Sequence, residues 1–411
     1  MSTLNDSLTR LNNCVACGNS RLREILNLGE QPLANEYLIE PSKRNYYPLG
    51  LNLCETCTHV QLSFSVNPDI LFNNYLYVSS NSNTLSEYFS KLRDHIIDEF
   101  GPSGSLIDVG SNDGFFLSKF VGTNWQTIGV DPAANLASNA SKYGVKTLSA
   151  FYDYPTASLL SNSFKVAVAM NVFAHTPNPA EILRGLSTNV SDEGVAFLQT
   201  SQANMFINNE FDTVYHEHIS FFNVKSMKAL LARCGWFLQD VSIVNIHGGS
   251  YLWKIAKIDR SSHSLSEREL EEDSYGYYKL DFYDEFNEKC QKIMKEVVDY
   301  CEIARQKGYE IAIYGAAAKG NTFLNFAQLV PDYIFDDTSL KIGKFSPLGN
   351  QEVLSPAKLP NVESKLLIIV PAWNLADEIT SRIRTLRKNS SEDLLLTYFP
   401  RFSVKAVKES F

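Results

Sequence analysis

Four consecutive residues, Tyr215-His216-Glu217-His218, place a phenol, two imidazoles and a carboxylate side by side in a chain with only seven histidines. They close the stretch Phe211-Asp212-Thr213-Val214-Tyr215-His216-Glu217-His218-Ile219-Ser220. A solvated turn gains little from such a cluster, and burial without partners is costly. Proton transfer needs an acid and a base held close together with adjustable pKa values, and these residue types supply both. A catalytic metal is the competing reading. The helical zincin pattern spaces its histidines four apart so that both reach one ion. Here His216 and His218 are two apart, on opposite faces of a helix though on one face of a strand, and no third ligand is evident.

A second chemistry is carried by Cys14-Val-Ala-Cys17-Gly18 and Cys54-Glu-Thr-Cys57. Each pair offers two thiolates, and the four sulfurs of Cys14, Cys17, Cys54 and Cys57 suit the tetrahedral preference of zinc in a closed, structural site. The 36 residues between the pairs call for a small subdomain of their own. Neither pair opens a helix after a strand, as thioredoxin-like redox chemistry requires.

The elements that must position these groups follow in chain order. Tyr75 and Tyr77 alternate in an extended segment, and a Ser/Asn cluster that includes Ser80 precedes a helix expected at about 84–99. Ser105–Gly110 reads as a strand entering the turn Ser111-Asn112-Asp113-Gly114 and then an apolar helix, the first unit of a doubly wound sheet. A second strand ends at Asp131, about twenty residues after Gly110, where a carboxylate accepts ribose hydroxyls. Strands expected at 166–170 and 194–198 follow, the first running into Asn171 and His175 and the second counted as the fourth. The full GxGxxG is absent, and Asp108 and Asp113 are poor company for a pyrophosphate. They suit a cationic ligand such as the sulfonium of S-adenosylmethionine.

Downstream, His247-Gly248-Gly249-Ser250 ends a strand in a second polar knot, and a hairpin is the ordinary alternative. Residues 264–307 show helical periodicity, with Phe282, Phe286, Ile293, Val297, Val298, Cys301 and Ile303 on one side. Then Glu310–Thr322 repeats the strand, glycine turn, helix logic, and Lys319 beside the turn suits a phosphate. Its spacing is not that of a P-loop. A net charge of -9 argues against a nucleic-acid surface. The longest apolar run, Leu366–Val370, is far too short to span a membrane. The odd count of seven cysteines and the absence of a signal-peptide pattern point to a cytoplasmic protein.

Taken in order, these motifs resemble the C-methyltransferases of nucleotide-sugar metabolism, which build branched deoxysugars. The resemblance rests on Cys-x-x-Cys-Gly, Gly-Glu-Gln-Pro-Leu-Ala-Asn, Tyr-x-Tyr-x-Ser-Ser-x-Ser, Asp-x-Gly-Ser-Asn-Asp-Gly, Asn-Val-Phe-Ala-His, Phe-Asp-Thr-Val-Tyr-His-Glu-His, His-Gly-Gly-Ser, Tyr-Gly-Ala-Ala-Ala-Lys-Gly-Asn-Thr and Ala-Trp-Asn. It departs from the family at Gln199, where Glu is usual, and at Tyr251-Leu252-Trp253, where an Arg is usual. The resemblance implies an α/β chain with a zinc-binding N-terminal domain (1–78), a Rossmann-like methyltransferase domain (79–258) and a second Rossmann-like domain (259–411). It implies methylation of a carbon, C-3, beside the C-4 ketone of a nucleotide-diphosphate keto-sugar by a monomer. His218 would be the base, Tyr215 a partner acid, and Glu217 would orient an imidazole, with His216 in the same group. Gly110, Asn112, Asp113, Gly114, Asp131, Asn171, His175, Tyr77 and Ser80 would hold S-adenosylmethionine. Tyr75, His247, Ser250, Lys319, Asn321, Trp373 and Asn374 would hold the substrate. A binding module without activity and an NAD-dependent sugar-nucleotide oxidoreductase are the alternative classes.

Overall fold

The computed structural model describes residues 7–72, 79–81, 83–160, 163–201, 203–260, 262–388 and 392–407. Tyr75 and Tyr77 lie outside the described residues. The chain divides into two compact units that interleave along the sequence. The first comprises Met1–Glu24, Leu51–Ala203 and Glu217–Phe282, and the second Ile25–Gly50, Asn204–His216 and Tyr283–Phe411.

Short strands open the chain: β1 (Leu8–Arg10), β2 (Leu22–Gln31), β3 (Tyr47–Cys54), β4 (Val60–Leu62) and β5 (Phe64–Val66). In the first unit β1 pairs antiparallel with β5, and the last residues of β3 pair with β4. The helix α1 (Asn83–Phe100) then buries Leu85, Phe89, Leu92 and Ile96, a stripe at helical spacing. Each such side chain is worth about 1.5–3 kcal/mol of apolar burial, and their partners are strand residues such as Leu106, Val168 and Phe197.

The strands of the main sheet are β6 (Ser103–Val109), β7 (Asn124–Val130), β8 (Thr147–Leu148), β9 (Phe164–Met170), β10 (Val190–Ser201), β12 (Phe237–Val244) and β13 (Ser250–Ala256). A two-residue strand, β11 (Ser220–Phe221), pairs instead with β4. The order is β12-β13-β10-β9-β6-β7-β8. Strands β6 to β10 run parallel, while β13 is antiparallel to both β10 and β12. Buried residues on both faces of β9 and β10 are what a helix-covered parallel sheet demands. The chain steps outward from β6 through β7 to β8, then returns to β9 on the other side. The ends of β6 and β9 therefore flank a topological switch point, where ligands of such sheets bind. The strand expected as the fourth, β10, is the fifth, because Thr147–Leu148 is too short to carry a periodicity of its own.

In the second unit a six-stranded sheet has the order β16-β15-β14-β17-β18-β19, from β14 (Glu310–Tyr314), β15 (Tyr333–Phe335), β16 (Val353–Leu354), β17 (Leu366–Ile369), β18 (Leu394–Thr397) and β19 (Ser403–Ala406). All pairs are parallel except β18 with β19. Its switch point lies between β14 and β17. The stretch expected to carry one helical side from 264 to 307 is two helices, His263–Tyr275 and α2 (Phe286–Gln306), separated by a left-handed Gly276 and a short turn at Asp281–Tyr283. Phe286, Val297 and Cys301 are buried, whereas Ile303 is exposed: it stands two residues beyond Cys301, about 200° around the helix and off the buried stripe. Among the described residues no helix is long and apolar enough to cross a membrane.

Candidate active site

The first unit gathers oxygen acceptors at the carboxyl ends of β6, β7 and β9. Gly110 leaves β6 at φ 71°, a left-handed conformation, and an added Cβ would lie 2.2 Å from Val172 Cγ2. Glycine is required there on both counts. Asp131 at the end of β7 is nearly buried, and its carboxylate accepts the backbone N–H groups of Asn112 at 2.8 Å and Ala133 at 2.8 Å. Burial pushes its pKa up, the two N–H bonds oppose that, and the nearby Asp113 adds to the rise. Its remaining lone pairs stay available to a ribose diol.

Asp108 is buried with Oδ1 lacking any hydrogen-bond partner, and its pKa is well raised by burial and then by the Asp131 charge. Asp113 Oδ1 and Asn171 Oδ1 are likewise buried without a partner. Asn171 is also held at φ 57°, a strained setting that recurs at functional sites. Unsatisfied acceptors of this kind call for a ligand rich in donors and positive charge. An ammonium, a sulfonium and a ribose diol fit, so the residues present suit S-adenosylmethionine, whereas a pyrophosphate would meet repulsion. Asn112 and Asp113 have a second task. Asn112 Oδ1 accepts the Ser79 N–H at 3.1 Å, and Asp113 Oδ2 accepts the Ser80 N–H at 3.4 Å. The segment before α1 is thereby fastened onto the turn, with Ser80 attached by its backbone.

Past the end of β9, the turn Phe173–His175 brings His175 against His218, the rings stacked at 5.1 Å between centroids and 27° between planes. The Ile219 N–H donates to the Ala174 carbonyl at 3.0 Å and fixes this neighbourhood. His218 is 7% exposed. Burial, with the positive charge of His247 adding to it, lowers the pKa of the partly exposed His175 to about 4, so that ring is neutral at physiological pH. His247 itself sits at φ 56° ahead of two left-handed glycines. Ser250 is fully buried, and its hydroxyl donates to the Ile246 carbonyl at 2.8 Å. That bond closes the β12–β13 hairpin, the ordinary alternative for this motif.

The Tyr215–His218 cluster is neither helix nor strand. Glu217 and His218 belong to the first unit, Tyr215 and His216 to the second. His216 is completely buried, its ring edge-on to Tyr47 at 5.8 Å. Burial lowers its pKa to about 4 against the opposing carbonyls of Tyr47 and Pro48. It is a neutral packing group there, while His218 keeps company with His175.

In the second unit the turn after β14 is Gly315–Ala317, leading into α3 (Ala318–Phe326). Asn321 is spent inside the protein: its amide donates to the Ala34 carbonyl at 2.8 Å and to the Tyr37 hydroxyl at 2.9 Å. Tyr37 in turn donates to the Ala316 carbonyl at 2.6 Å. The Gly29–Asn35 motif thus props the turn from below, so Asn321 shapes the turn rather than facing a ligand. Lys341 likewise donates to the Ala316 carbonyl at 2.8 Å. Trp373 follows β17 at the switch point, with Lys319 Nζ 4.3 Å from its ring centroid and Asn374 exposed beside it. Trp373 Nε1 donates to Asp212 Oδ2 at 3.0 Å. Asp212 is fully buried, a residue for which the sequence suggested no role.

The four cysteine sulfurs lie within 4.8 Å of one another, with Cys14 Sγ 3.6 Å from Cys57 Sγ and Cys17 Sγ 3.5 Å from Cys54 Sγ. Tetrahedral zinc–sulfur bonds of about 2.3 Å separate their sulfurs by about 3.8 Å, so the cage fits the ion. The Gly18 and Thr58 N–H groups close the two knuckles onto the Cys14 and Cys54 carbonyls. With four protein sulfurs the shell has no open position.

Three family models match the chain in succession: a zinc-binding domain at residues 14–72, a methyltransferase domain at 83–240 and a C-methyltransferase C-terminal domain at 245–397. The C-methyltransferase NovU of Streptomyces niveus is 28% identical over 97% of this chain and 98% of its own length. Among solved structures, magnesium protoporphyrin IX methyltransferase from Synechocystis PCC 6803 with bound SAM is 8% identical and covers 42% of this chain and 79% of its own, with a TM-score of 0.33. A SAM-dependent methyltransferase from Thermotoga maritima is 18% identical and covers 42% of this chain and 92% of its own, with a TM-score of 0.34.

Proposed function

We propose that this chain, which belongs to the S-adenosylmethionine-dependent C-methyltransferases with an N-terminal zinc-binding domain, methylates a carbon next to the ketone of a nucleotide-linked keto-deoxysugar, C-3 beside a C-4 ketone. The observation that carries the reading is the His175–His218 stack standing at the end of β9, beside the acceptor-lined turn of β6. A C–H bond is acidic only next to a carbonyl, so a base must take the proton while a donor stabilises the enolate oxygen. His218 is that base. His175, kept neutral by burial and by His247, packs against its face and adds no positive charge of its own. Tyr215, three residues earlier, is the donor to the enolate oxygen, and the buried Glu217 orients the imidazole.

Asp108, Gly110, Asp131 and Asn171 hold the cofactor, with Asn112 and Asp113 clamping the segment that contains Ser80. S-adenosylmethionine, when bound, supplies the electrophilic methyl that the enolate carbon takes up. The nucleotide of the substrate is read at the switch point of the second unit, by the backbone N–H groups opening α3 and by Trp373 and Asn374. The four-sulfur site holds zinc as a structural ion and takes no part in the reaction.

The test is exchange of the substrate α-hydrogen for deuterium in the presence of S-adenosylhomocysteine. Wild type exchanges it. His218→Asn abolishes exchange while keeping affinity for S-adenosylhomocysteine; full exchange in that variant removes His218 from the role.

A further inference from the structure

Asp212 belongs to the same ten-residue motif as His218, yet no step above uses it, and the molecule surrounds it elaborately. It lies on the short turn Phe211–Thr213, and its neighbour Phe211 is boxed by three rings: stacked on Phe323 at 5.4 Å and edge-on to Phe326 at 5.6 Å and Phe399 at 5.8 Å. The carboxylate itself is fully buried. Oδ2 accepts the Trp373 indole N–H at 3.0 Å. Oδ1 is buried, and the Tyr398 hydroxyl acts on the same carboxylate. The Lys319 ammonium rests over the Trp373 ring, 4.3 Å from its centroid. Glu210, almost completely buried, stands two residues before Asp212. Tyr398, stacked on Phe323 at 4.0 Å, completes the wall.

This environment leaves the Lys319 ammonium little to offer an incoming phosphate. Two carboxylates face one ammonium, so the lysine already has an aromatic face and carboxylate charge to answer. Burial raises the Asp212 pKa to about 7, and Lys319 is the first influence that pulls it back. The same arrangement is well suited to holding a segment of chain. Residues acting on Asp212 come from the turn after β17, from α3 and from just past β18, all in the second unit. The segment so held continues without a break through Tyr215 to His218.

We infer that Asp212, Trp373 and Lys319 form a lock that positions the proton-transfer segment, and that Lys319 is the counter-ion of this lock rather than a ligand of the substrate diphosphate. The inference rests on the reading of His218 as the base. Asp212 is a positioning residue: it acts through the chain it anchors and touches no reacting atom. Lys319 neutralises a carboxylate that takes the Trp373 indole N–H and also meets the Tyr398 hydroxyl, and Trp373 carries the geometry between lysine and carboxylate.

Three variants test this: Lys319→Met, which keeps the stem and removes the charge, Asp212→Asn, and the two combined. Three readouts apply to each: the melting temperature, the dissociation constant of dTDP with UDP as the second probe, and the α-deuterium exchange rate at saturating sugar nucleotide. Lys319→Met is expected to lower the melting temperature by several degrees and exchange at least tenfold, with nucleotide affinity held within twofold. Adding Asp212→Asn removes the uncompensated charge and restores most of the melting temperature and part of the exchange rate. A tenfold loss of nucleotide affinity in Lys319→Met, with no rescue by Asp212→Asn, makes the lysine a phosphate ligand and overturns the lock. Additive melting shifts also overturn it, as does the absence of any effect. If wild type exchanges no hydrogen on any keto-sugar nucleotide, the proposed reaction fails, while the melting cycle still decides the lock.

Discussion

Replacing Gly110 by alanine separates backbone strain from steric closure at the cofactor turn. The residue has φ 71°, and a Cβ placed on it would lie 2.2 Å from Val172 Cγ2, 3.0 Å from Cγ1 and 3.1 Å from Cβ. Carbon atoms pack at about 3.5–4.0 Å, so the nearest contact is too short by about 1.3 Å or more. Val172 Cβ itself would lie 3.1 Å from the added carbon, so rotating the side chain still leaves a short contact unless the turn moves. The left-handed conformation costs an L-residue about 1–2 kcal/mol. Overpacking of a close contact adds about 1–3 kcal/mol. Together they come to about 2–5 kcal/mol, shared between destabilisation and displacement of the turn proposed to cradle the cofactor. If about 2 kcal/mol falls on the turn, S-adenosylhomocysteine binds about 30-fold more weakly. Calorimetric titration measures this directly, alongside a thermal melt. Gly122→Ala is the control: it has φ 84° with nothing within 4 Å of the added Cβ, so it carries strain without overlap. It should lower stability by about 1–2 kcal/mol and leave cofactor affinity unchanged. Refutation is simple: Gly110→Ala binding S-adenosylhomocysteine within twofold of wild type, with the melting temperature of Gly122→Ala, would show that the close approach to Val172 has no bearing on the cofactor.

Asp108→Asn should weaken S-adenosylhomocysteine about 10- to 100-fold by removing the carboxylate proposed to face the ligand ammonium, as a charge-assisted hydrogen bond is worth roughly 1.5–3 kcal/mol; unchanged calorimetric affinity means the raised pKa leaves the carboxyl protonated and its charge unused. One zinc per chain is expected by elemental analysis, and Cys54→Ser together with a chelator should strip the ion and unfold the N-terminal cysteine subdomain by circular dichroism, while a fully folded metal-free chain would reduce the four sulfurs to packing. His216 gives a pH signature. Its folded pKa of about 4 lies below the usual 6.5, so the unfolded chain binds the extra proton first, and the stability it contributes is complete above pH 6.5 and lost as the pH falls towards 4. The loss is about 2–3 kcal/mol for a fully buried ring. Urea titrations from pH 7 to pH 4 should therefore converge for wild type and His216→Phe, and parallel curves would place a proton on the native ring.

What the sequence carried in local patterns, the structure returns with small adjustments. Paired cysteines, apolar strands and glycine turns are local signals, and Cys14 to Cys57, the strand into Gly110 and the strand into Gly315 all stand as the spacing required. Thr147–Leu148 escapes because two residues have no period, and Ile303 falls off the buried face because it stands two residues beyond Cys301, about 200° around the same helix. Asn321 and Asp212 show a deeper limit. An amide beside a glycine turn and an aspartate beside a histidine cluster are the types that touch ligands, and nothing in their neighbours along the chain says that Tyr37 and Trp373 have already claimed them. The motif from Phe211 to Ser220 makes the same point most sharply. It reads as one functional block because its residues are adjacent, yet tertiary contacts hand Phe211 to His216 to the second unit and Glu217 onward to the first. Adjacent residues that answer to different cores cannot each be optimised for chemistry. The half in the second unit packs Phe211 among aromatic rings and ties Asp212 to Trp373. The other half, just as buried, stacks His218 on His175 at the carboxyl end of β9, so the proposed anchor and the proposed base share one short stretch of chain.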